Sequence, residues 1–162
     1  WNCEVIHVRS PARARNRYGL PTLFMAGGIT GTIDWQIDFL KMLEGEELMV
    51  FNPRRLDFDA SNKEMEVEQI TWEHVHLVKA DAISFWFTPE TLCPITLFEL
   101  GTVIDKNHPQ RVFIGCHPEY KRLRDVEIQT RLRNPTIEVV QSLSELSEQV
   151  KDWARKANEN GG

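Results

Sequence analysis

Short apolar runs alternate with longer amphipathic segments along most of the chain, which is the pattern of a parallel α/β sheet. Five runs predict strands: Pro21–Ala26, Glu47–Phe51, Ala82–Phe87, Arg111–Gly115 and Thr136–Val140. The run Cys3–Arg9 is compatible with a short extra strand. The predicted fold class is therefore α/β: a single doubly wound, mainly parallel five-stranded sheet with helices on both faces.

Apolar residues at three- and four-residue spacing predict helices between these strands. The predicted helical segments are Asp34–Leu43, Lys63–Lys79, about 94–106, part of 118–133, and Ser142–Lys156. Ser142 and Glu145 form the pattern of a capping box at the start of the last helix. We divide the chain into an N-terminal extension, residues 1–20, and one domain, residues 21–158.

Composition excludes several classes of protein. The net charge of −5 argues against a nucleic-acid polymer as the partner, since phosphate binding favours a basic surface. No apolar run approaches the roughly 20 residues of a membrane span. Cys3, Cys93 and Cys116 are odd in number and scattered, which indicates a reducing cytoplasm rather than a disulfide framework. The chain begins at Trp1 without Met, which indicates a trimmed start, and no signal peptide is visible.

Metal and cofactor chemistry find no support in the motifs. His74 and His76 are two residues apart on a predicted helix and so face away from each other. Cys116 and His117 have no companion pair, so no metal site and no cofactor are predicted. The P-loop, the Rossmann fingerprint and the serine nucleophile elbow are all absent.

Two polar segments follow the first two strands and so lie at the same edge of the sheet. The first is a glycine-rich loop whose candidate binding residues are Gly27, Gly28, Thr30, Gly31 and Thr32. Its backbone suits either close ligand approach or a simple tight turn. The second segment supplies Asn52, Arg54 and Arg55. Its arginines suit a bidentate grip on phosphate, or equally pairing with Asp57 and Asp59.

Glu99 is the leading candidate for chemistry. Pro94 suits the first position of a helix, which places Glu99 just beyond the carboxyl end of the strand Ala82–Phe87. Open α/β sheets bind ligands there, and the field of the helix N-terminus is expected to keep the carboxylate ionised. Glu73 is predicted to face the same crevice. Each glutamate could equally be a solvated helical side chain, but a paired-carboxylate site is the best enzymatic interpretation.

The ordered motifs resemble the nucleoside 2-deoxyribosyltransferase superfamily. They are Phe24–Gly31, Asn52–Arg55, Glu73 with Ala80-Asp81, Phe98–Gly101 and His117–Tyr120. The resemblance covers roughly Pro21 to Val140 and implies a flavodoxin-like fold. It also implies an enzyme that acts on the N-glycosidic bond of (2-deoxy)nucleosides or their monophosphates.

The resemblance assigns roles to individual residues. Glu99 would attack the anomeric carbon and form a glycosyl-enzyme, and Glu73 would place the base or the sugar. Asn134 would touch the sugar of a neighbouring subunit, so a homo-oligomer is expected. Cys93 stands where the transferases often carry an Asp that contacts the base, and Phe24 stands where the family often has an assisting Tyr.

These departures keep several functions open. The leading hypothesis is a transferase, in which a second base resolves the intermediate. The alternatives are a deoxynucleoside monophosphate N-hydrolase, with the loop Thr30–Thr32 and Arg54 or Arg55 holding a 5′-phosphate, and a catalytically silent nucleotide-binding module. A flavin carrier on the same type of sheet is a further alternative from the fold alone.

Overall fold

The protein is built on one parallel sheet of six strands, one more than the five predicted. The computed structural model describes residues 4–161. In chain order its elements are β1 (Ile6–Arg9), β2 (Thr22–Gly27), α1 (Trp35–Met42), β3 (Met49–Asn52), α2 (Lys63–Lys79), β4 (Ala82–Phe87), α3 (Pro94–Val103), β5 (Arg111–Cys116), α4 (Leu123–Arg133), β6 (Val139–Val140) and α5 (Leu143–Asn160). The additional strand, β1, lies within the run Cys3–Arg9, of which Cys3 falls outside the described residues.

The strand order confirms the doubly wound fold. Across the sheet the order is β1-β3-β2-β4-β5-β6, and every pairing is parallel. Without β1, this is the 2-1-3-4-5 order of flavodoxin-like proteins. Phe24 of β2 lies between Phe51 of β3 and Ile83 of β4. The order reverses between β2 and β4, so their carboxyl ends form the topological switch point at which such folds bind ligands.

Helices cover both faces of the sheet because the central strands are apolar on both sides. Every residue of β4 is buried. One core joins the sheet to α2, α3 and α4, with Trp72, Leu100 and Val126 as their buried contacts. The second core joins it to α1 and α5, through side chains such as Phe39 and Val150.

The sequence predicted most elements closely and one strand poorly. The predicted helix Lys63–Lys79 coincides with α2. Ser142 caps α5 as predicted: its hydroxyl accepts from the Glu145 N–H at 3.1 Å and donates to the Glu145 carboxylate at 2.8 Å. The predicted strand Thr136–Val140 shortens to β6, because Asn134 and Thr136 instead form a side-chain-bonded turn.

The N-terminal segment packs against the rest of the fold. The β1 strand pairs with β3 along its whole length. Beyond it, the Ser10 N–H donates to the Asn52 carbonyl at 2.9 Å. The indole N–H of Trp72, on α2, donates to the Ala12 carbonyl at 2.8 Å. Residues between β1 and β2 are thereby fixed against α2.

Candidate active site

A cleft of about 560 Å³ opens at the switch point between β2 and β4. Its lining includes Phe24, in the middle of β2, and Gly28, just beyond the end of that strand. Its walls come from α2 and α3, which pack on the same face of the sheet. The cleft therefore lies where the strand order and the general rule for open α/β sheets place a ligand.

Glu73 and Glu99 both line this cleft, Glu73 from α2 and Glu99 from α3. Burial, and then the nearby charge of Glu73, raise the pKa of Glu99 to about 8. Burial also raises the pKa of Glu73, and a hydrogen bond from Gln69 opposes that rise. Two carboxylates that repel each other in a desolvated site ionise in separate steps, so at neutral pH the pair retains a proton.

The prediction that the helix N-terminus keeps Glu99 ionised is wrong, because the pKa of Glu99 is raised and not lowered. Because Pro94 is the first residue of α3, Glu99 belongs to the second turn of the helix. The field of a helix terminus falls off within the first turn. Desolvation and the neighbouring Glu73 therefore outweigh it and raise the pKa of Glu99 to about 8.

The glycine-rich loop packs tightly around the base of the cleft. A Cβ at Gly27 would lie 2.7 Å from the Trp86 carbonyl oxygen and would also strike the Trp35 ring. A Cβ at Gly28 would lie 3.0 Å from Cys93 Sγ. The Trp35 indole N–H also donates to the Gly28 carbonyl at 2.8 Å. The glycines here are required by internal packing as well as by any ligand.

Only part of the predicted loop faces the cleft. Gly27, Gly28 and Thr30 line it, whereas Gly31 and Thr32 are not in its lining. Gly31 has a φ of +73°, in the left-handed region, which suits glycine. The Thr32 hydroxyl donates to the Gly28 carbonyl at 3.0 Å, which is a hydrogen bond within the loop itself.

The two arginines of the second segment have different surroundings. Arg54 donates to the Thr32 and Ile33 carbonyls at 2.9 and 2.8 Å, so its guanidinium holds the glycine-rich loop and does not line the cleft. Arg55 does line the cleft, with ion pairs of 2.7 Å to Asp57 and 2.6 Å to Glu68.

Asn52 supports the loop around Arg54. Its side chain is fully buried and accepts from the Arg54 N–H at 2.9 Å. Its amide nitrogen lies 3.1 Å from His7 Nε2. Asn52 is therefore held among protein groups and does not line the cleft.

Cys93 occupies an unusual position at the start of α3. It has a φ of 49° and a ψ of 56°, the left-handed conformation, and it precedes Pro94. Its sulfur lies 3.3 Å from Thr91 Oγ1 and 3.6 Å from Thr88 Oγ1. Cys93 lines the cleft, on the side opposite α2.

Asn134 lies away from the cleft of its own chain. It ends α4, which follows β5 and runs back along the sheet, so Asn134 lies near the beginning of the strands rather than at their carboxyl ends. Its side-chain oxygen accepts from the Thr136 hydroxyl at 2.5 Å. A role for Asn134 at a cleft therefore requires a second copy of the chain.

The sequence analysis missed several residues of the cleft. Gln69 is buried and precedes Glu73 by one helical turn, a spacing at which the two side chains meet. This spacing of Gln69 and Glu73 is the feature of the sequence from which their contact could have been predicted. The mouth is also lined by exposed apolar side chains: Phe58, Ile70, Ile95 and Phe98. Their exposure could not be deduced from hydrophobicity, which suggested core positions.

Two further features bear on the class of site. Among residues 4–161, no group of three or more His, Cys, Asp or Glu side chains is arranged to hold a metal ion. Within that same part of the chain, no helix combines the length and the apolar character needed to cross a membrane.

Comparison with known families agrees with the geometry. The model of the family described as nucleoside 2-deoxyribosyltransferase like matches residues 20–120. The matched segment contains the glycine-rich loop and both carboxylates of the cleft, Glu73 and Glu99. No curated protein matches the chain. Since the family model covers more than half of the sequence, the chain belongs to the nucleoside 2-deoxyribosyltransferase-like family.

Proposed function

We propose that this protein is an enzyme that cleaves the N-glycosidic bond of (2-deoxy)nucleosides through a glycosyl intermediate on Glu99. The observation that carries the proposal is the carboxylate pair of Glu73 and Glu99 in a cleft at the switch point of the sheet. A pair that holds one proton and one negative charge offers both an acid and a nucleophile. Glycoside cleavage with a covalent intermediate requires those two groups.

The first half of the reaction uses the proton of the pair. With a pKa of about 8, Glu99 holds a proton at neutral pH and must lose it before it can attack. Glu73 accepts that proton and passes it to the leaving base. The Glu99 carboxylate then forms a bond to C1′ as the C1′–N bond breaks, and the electrons of that bond stay with the protonated base.

The second half regenerates the pair. An acceptor, either a second base or water, attacks C1′ and breaks the bond to Glu99. The proton of the acceptor passes to Glu73, which leaves the pair with one proton and one charge as at the start. Phe24 lines the cleft and supplies no hydroxyl, so the attack of Glu99 proceeds without a phenolic partner at that position.

The charge of the cleft favours a nucleoside over a nucleoside monophosphate. Three carboxylates line the cleft, from Glu66, Glu73 and Glu99. The cation among its lining residues is Arg55, which is already paired with two acidic side chains. Arg54 is bound to backbone carbonyls of the glycine-rich loop. A phosphate dianion would meet net repulsion unless Arg55 released its partners.

The test is turnover of a panel of nucleosides and their 5′-monophosphates, with and without an acceptor base, followed by chromatography. Free base without acceptor identifies a hydrolase, and base exchange identifies a transferase.

Glu99→Gln should abolish both activities. Glu148→Gln, a change at an exposed residue of α5, should leave turnover intact. Mass spectrometry of the acid-quenched reaction should find a pentosyl adduct on Glu99. Binding without turnover across the whole panel would instead identify a silent nucleotide-binding module.

We further propose that a second copy of the chain covers the mouth of the cleft. Phe98 and Ile95 of α3 are 73% and 63% exposed there, and Ile70 of α2 is 59% exposed. Exposed apolar side chains that cluster around a site are typical of an interface. Phe98→Asp should give a smaller species in sedimentation velocity. If the wild type is itself monomeric, this part of the proposal, including the role of Asn134 across the interface, fails.

A reducing cytoplasm is the proposed location. Cys93 and Cys116 are both buried and unoxidised in the described part of the chain. Fractionation of the producing cells, followed by detection of the protein, would test this directly.

A further inference from the structure

We propose that Gln69 is a positioning residue for Glu73, and that Ser10 in the N-terminal segment holds the Gln69 side chain in place by donating to its amide oxygen. Gln69 makes three side-chain hydrogen bonds: one with Ser10, one with the Pro53 carbonyl, and one with Glu73 a turn later on α2. The proposal rests on the proposed function for its catalytic meaning. Its geometric content concerns the carboxylate pair itself and can be tested without turnover.

The orientation of the Gln69 amide is determined by its neighbours. The Pro53 carbonyl lies 2.6 Å from Nε2 and can only accept, so the NH₂ end of the amide must face it. On the other side, the Ser10 hydroxyl donates to Oε1 at 2.6 Å. The side chains of Gln69 and Ser10 are both buried, and so neither exchanges these partners for water.

This orientation leaves one N–H of Gln69 for Glu73. Nε2 donates to Glu73 Oε1 at 2.7 Å, which uses its second hydrogen. A donor held in this way favours the ionised form of Glu73 and opposes the effect of burial on its pKa. The two carboxylates are thus made unequal, because the Gln69 donor stabilises a negative charge on Glu73.

Other charged or titratable groups face Glu73 across the cleft. Glu99 and Cys93 line it from α3 and its start, Glu66 from α2, and Arg55 from the loop after β3. Arg55 is bound to Asp57 and Glu68. Burial raises the pKa of Glu73, and the Gln69 hydrogen bond is the interaction that opposes this rise.

Ser10 is itself held by backbone contacts. Its N–H donates to the Asn52 carbonyl, and the neighbouring Ala12 carbonyl accepts from Trp72 on α2. Ser10 lies before residues 20–120, which match the family model. The N-terminal segment therefore contributes to the carboxylate pair through a residue outside the matched region.

The experiment compares Gln69→Met and Ser10→Ala with the wild-type protein. The carboxyl carbons of Glu73 and Glu99 are titrated by ¹³C NMR of protein labelled at the glutamate side chains. Without the Gln69 donor, the lower of the two pKa values of the pair should rise by about one unit. A hydrogen bond to a charged group changes the acid dissociation constant of that group by a factor of about ten or more. Ser10→Ala should give a smaller rise in the same direction. Gln141→Met, a change at an exposed glutamine that bonds Glu127, is the matched control and should give none.

Kinetics supply the catalytic readout. If turnover requires a singly ionised pair, kcat/KM of Gln69→Met should fall more steeply than that of the wild type as the pH is lowered, with an additional loss of up to about tenfold below the lower pKa of the pair. A merely structural role would lower activity equally at all pH values. Lower pair pKa values that stay unchanged in folded Gln69→Met and Ser10→Ala would overturn the proposal. If Gln69→Met fails to fold, Ser10→Ala decides. If the wild type turns over no substrate, the proposed function fails, while the titration still decides the role of Gln69.

Discussion

The Tyr120 hydroxyl donates a 2.7 Å hydrogen bond to the Leu92 carbonyl, and thereby joins the loop after β5 to the residue before Cys93. The Tyr120 ring also packs on Phe87, with centroids 5.1 Å apart. Tyr120→Phe keeps this ring contact and leaves the Leu92 carbonyl without its donor. We expect a loss of about 1 kcal/mol in the free energy of unfolding, measured by urea denaturation. A loss well above that would mean that the phenol also supports the start of α3 by another route.

Two glycines of the same protein should respond to alanine in opposite directions. Gly27→Ala places a methyl group 2.7 Å from the Trp86 carbonyl, which belongs to the neighbouring strand and cannot move aside. We expect a destabilisation of ~1–3 kcal/mol. Gly101→Ala lies on α3, where a Cβ meets no heavy atom within 4 Å, so helix propensity should stabilise the protein by ~0.5–1 kcal/mol. Urea denaturation measures the free energy of unfolding of both variants. A change of the same sign in the two variants would contradict the prediction.

The contribution of Glu99 to stability should fall as the pH rises from about 4.5 to about 8. Glu99 has a pKa of about 8 in the folded protein, against 4.5 for an ordinary glutamate, so in this range the folded state binds more protons at Glu99 than the unfolded state. Glu73, whose pKa is also raised, contributes with the same sign, whereas His7 and His76, whose pKa values burial lowers from 6.5, contribute with the opposite sign below that pH. The measurement is urea denaturation at a series of pH values.

Glu99→Gln should remove most of this slope. The amide has no charge to desolvate, so the variant should be more stable than the wild type at pH 8, by ~1–2 kcal/mol once solvent screening in the open cleft is taken into account. At pH 4 the two proteins should be nearly equal. If the stability difference between Glu99→Gln and the wild type did not grow between pH 5 and pH 8, the raised pKa of Glu99 would be contradicted.

Arg54 and Arg55 provide a matched pair of adjacent residues. Arg54→Ala removes donors to the Thr32 and Ile33 carbonyls and should cost about 2 kcal/mol of stability. Arg55→Ala breaks ion pairs with exposed partners and should cost less stability than Arg54→Ala. Thermal and urea denaturation measure both.

The same pair tests substrate choice. If nucleosides are the substrates, Arg55→Ala should leave KM for a nucleoside nearly unchanged. A large rise in KM confined to 5′-monophosphates would instead identify Arg55 as a phosphate ligand.

The alternation of apolar runs and amphipathic helices was sufficient to predict the doubly wound sheet. The prediction was accurate for β4 and α2, whose patterns are long and regular. It was less accurate for β6, a two-residue edge strand whose length depends on pairing with β5 rather than on its own sequence. Edge strands of this kind carry little periodic signal, because few of their residues are buried on both faces.

The candidate site was only partly predictable. Strand ends placed Glu99 and the glycine-rich loop at one edge, since parallel strands share a carboxyl edge. The protonation of Glu99 depends on burial and on Glu73, which are properties of the folded cleft. Likewise, sequence treated Arg54 and Arg55 alike, whereas the fold directs Arg54 to the loop backbone and Arg55 to the cleft.

The position of β1 has a practical consequence. It covers the outer side of β3, in which all four residues are buried. A shortened chain that began at the family-matched region would leave the hydrogen-bonding edge of Met49–Asn52 bare, and bare apolar edges recruit other molecules into intermolecular sheets. Any expressed fragment should therefore keep the residues from Ile6 onward, since their removal would favour aggregation through the exposed edge of β3.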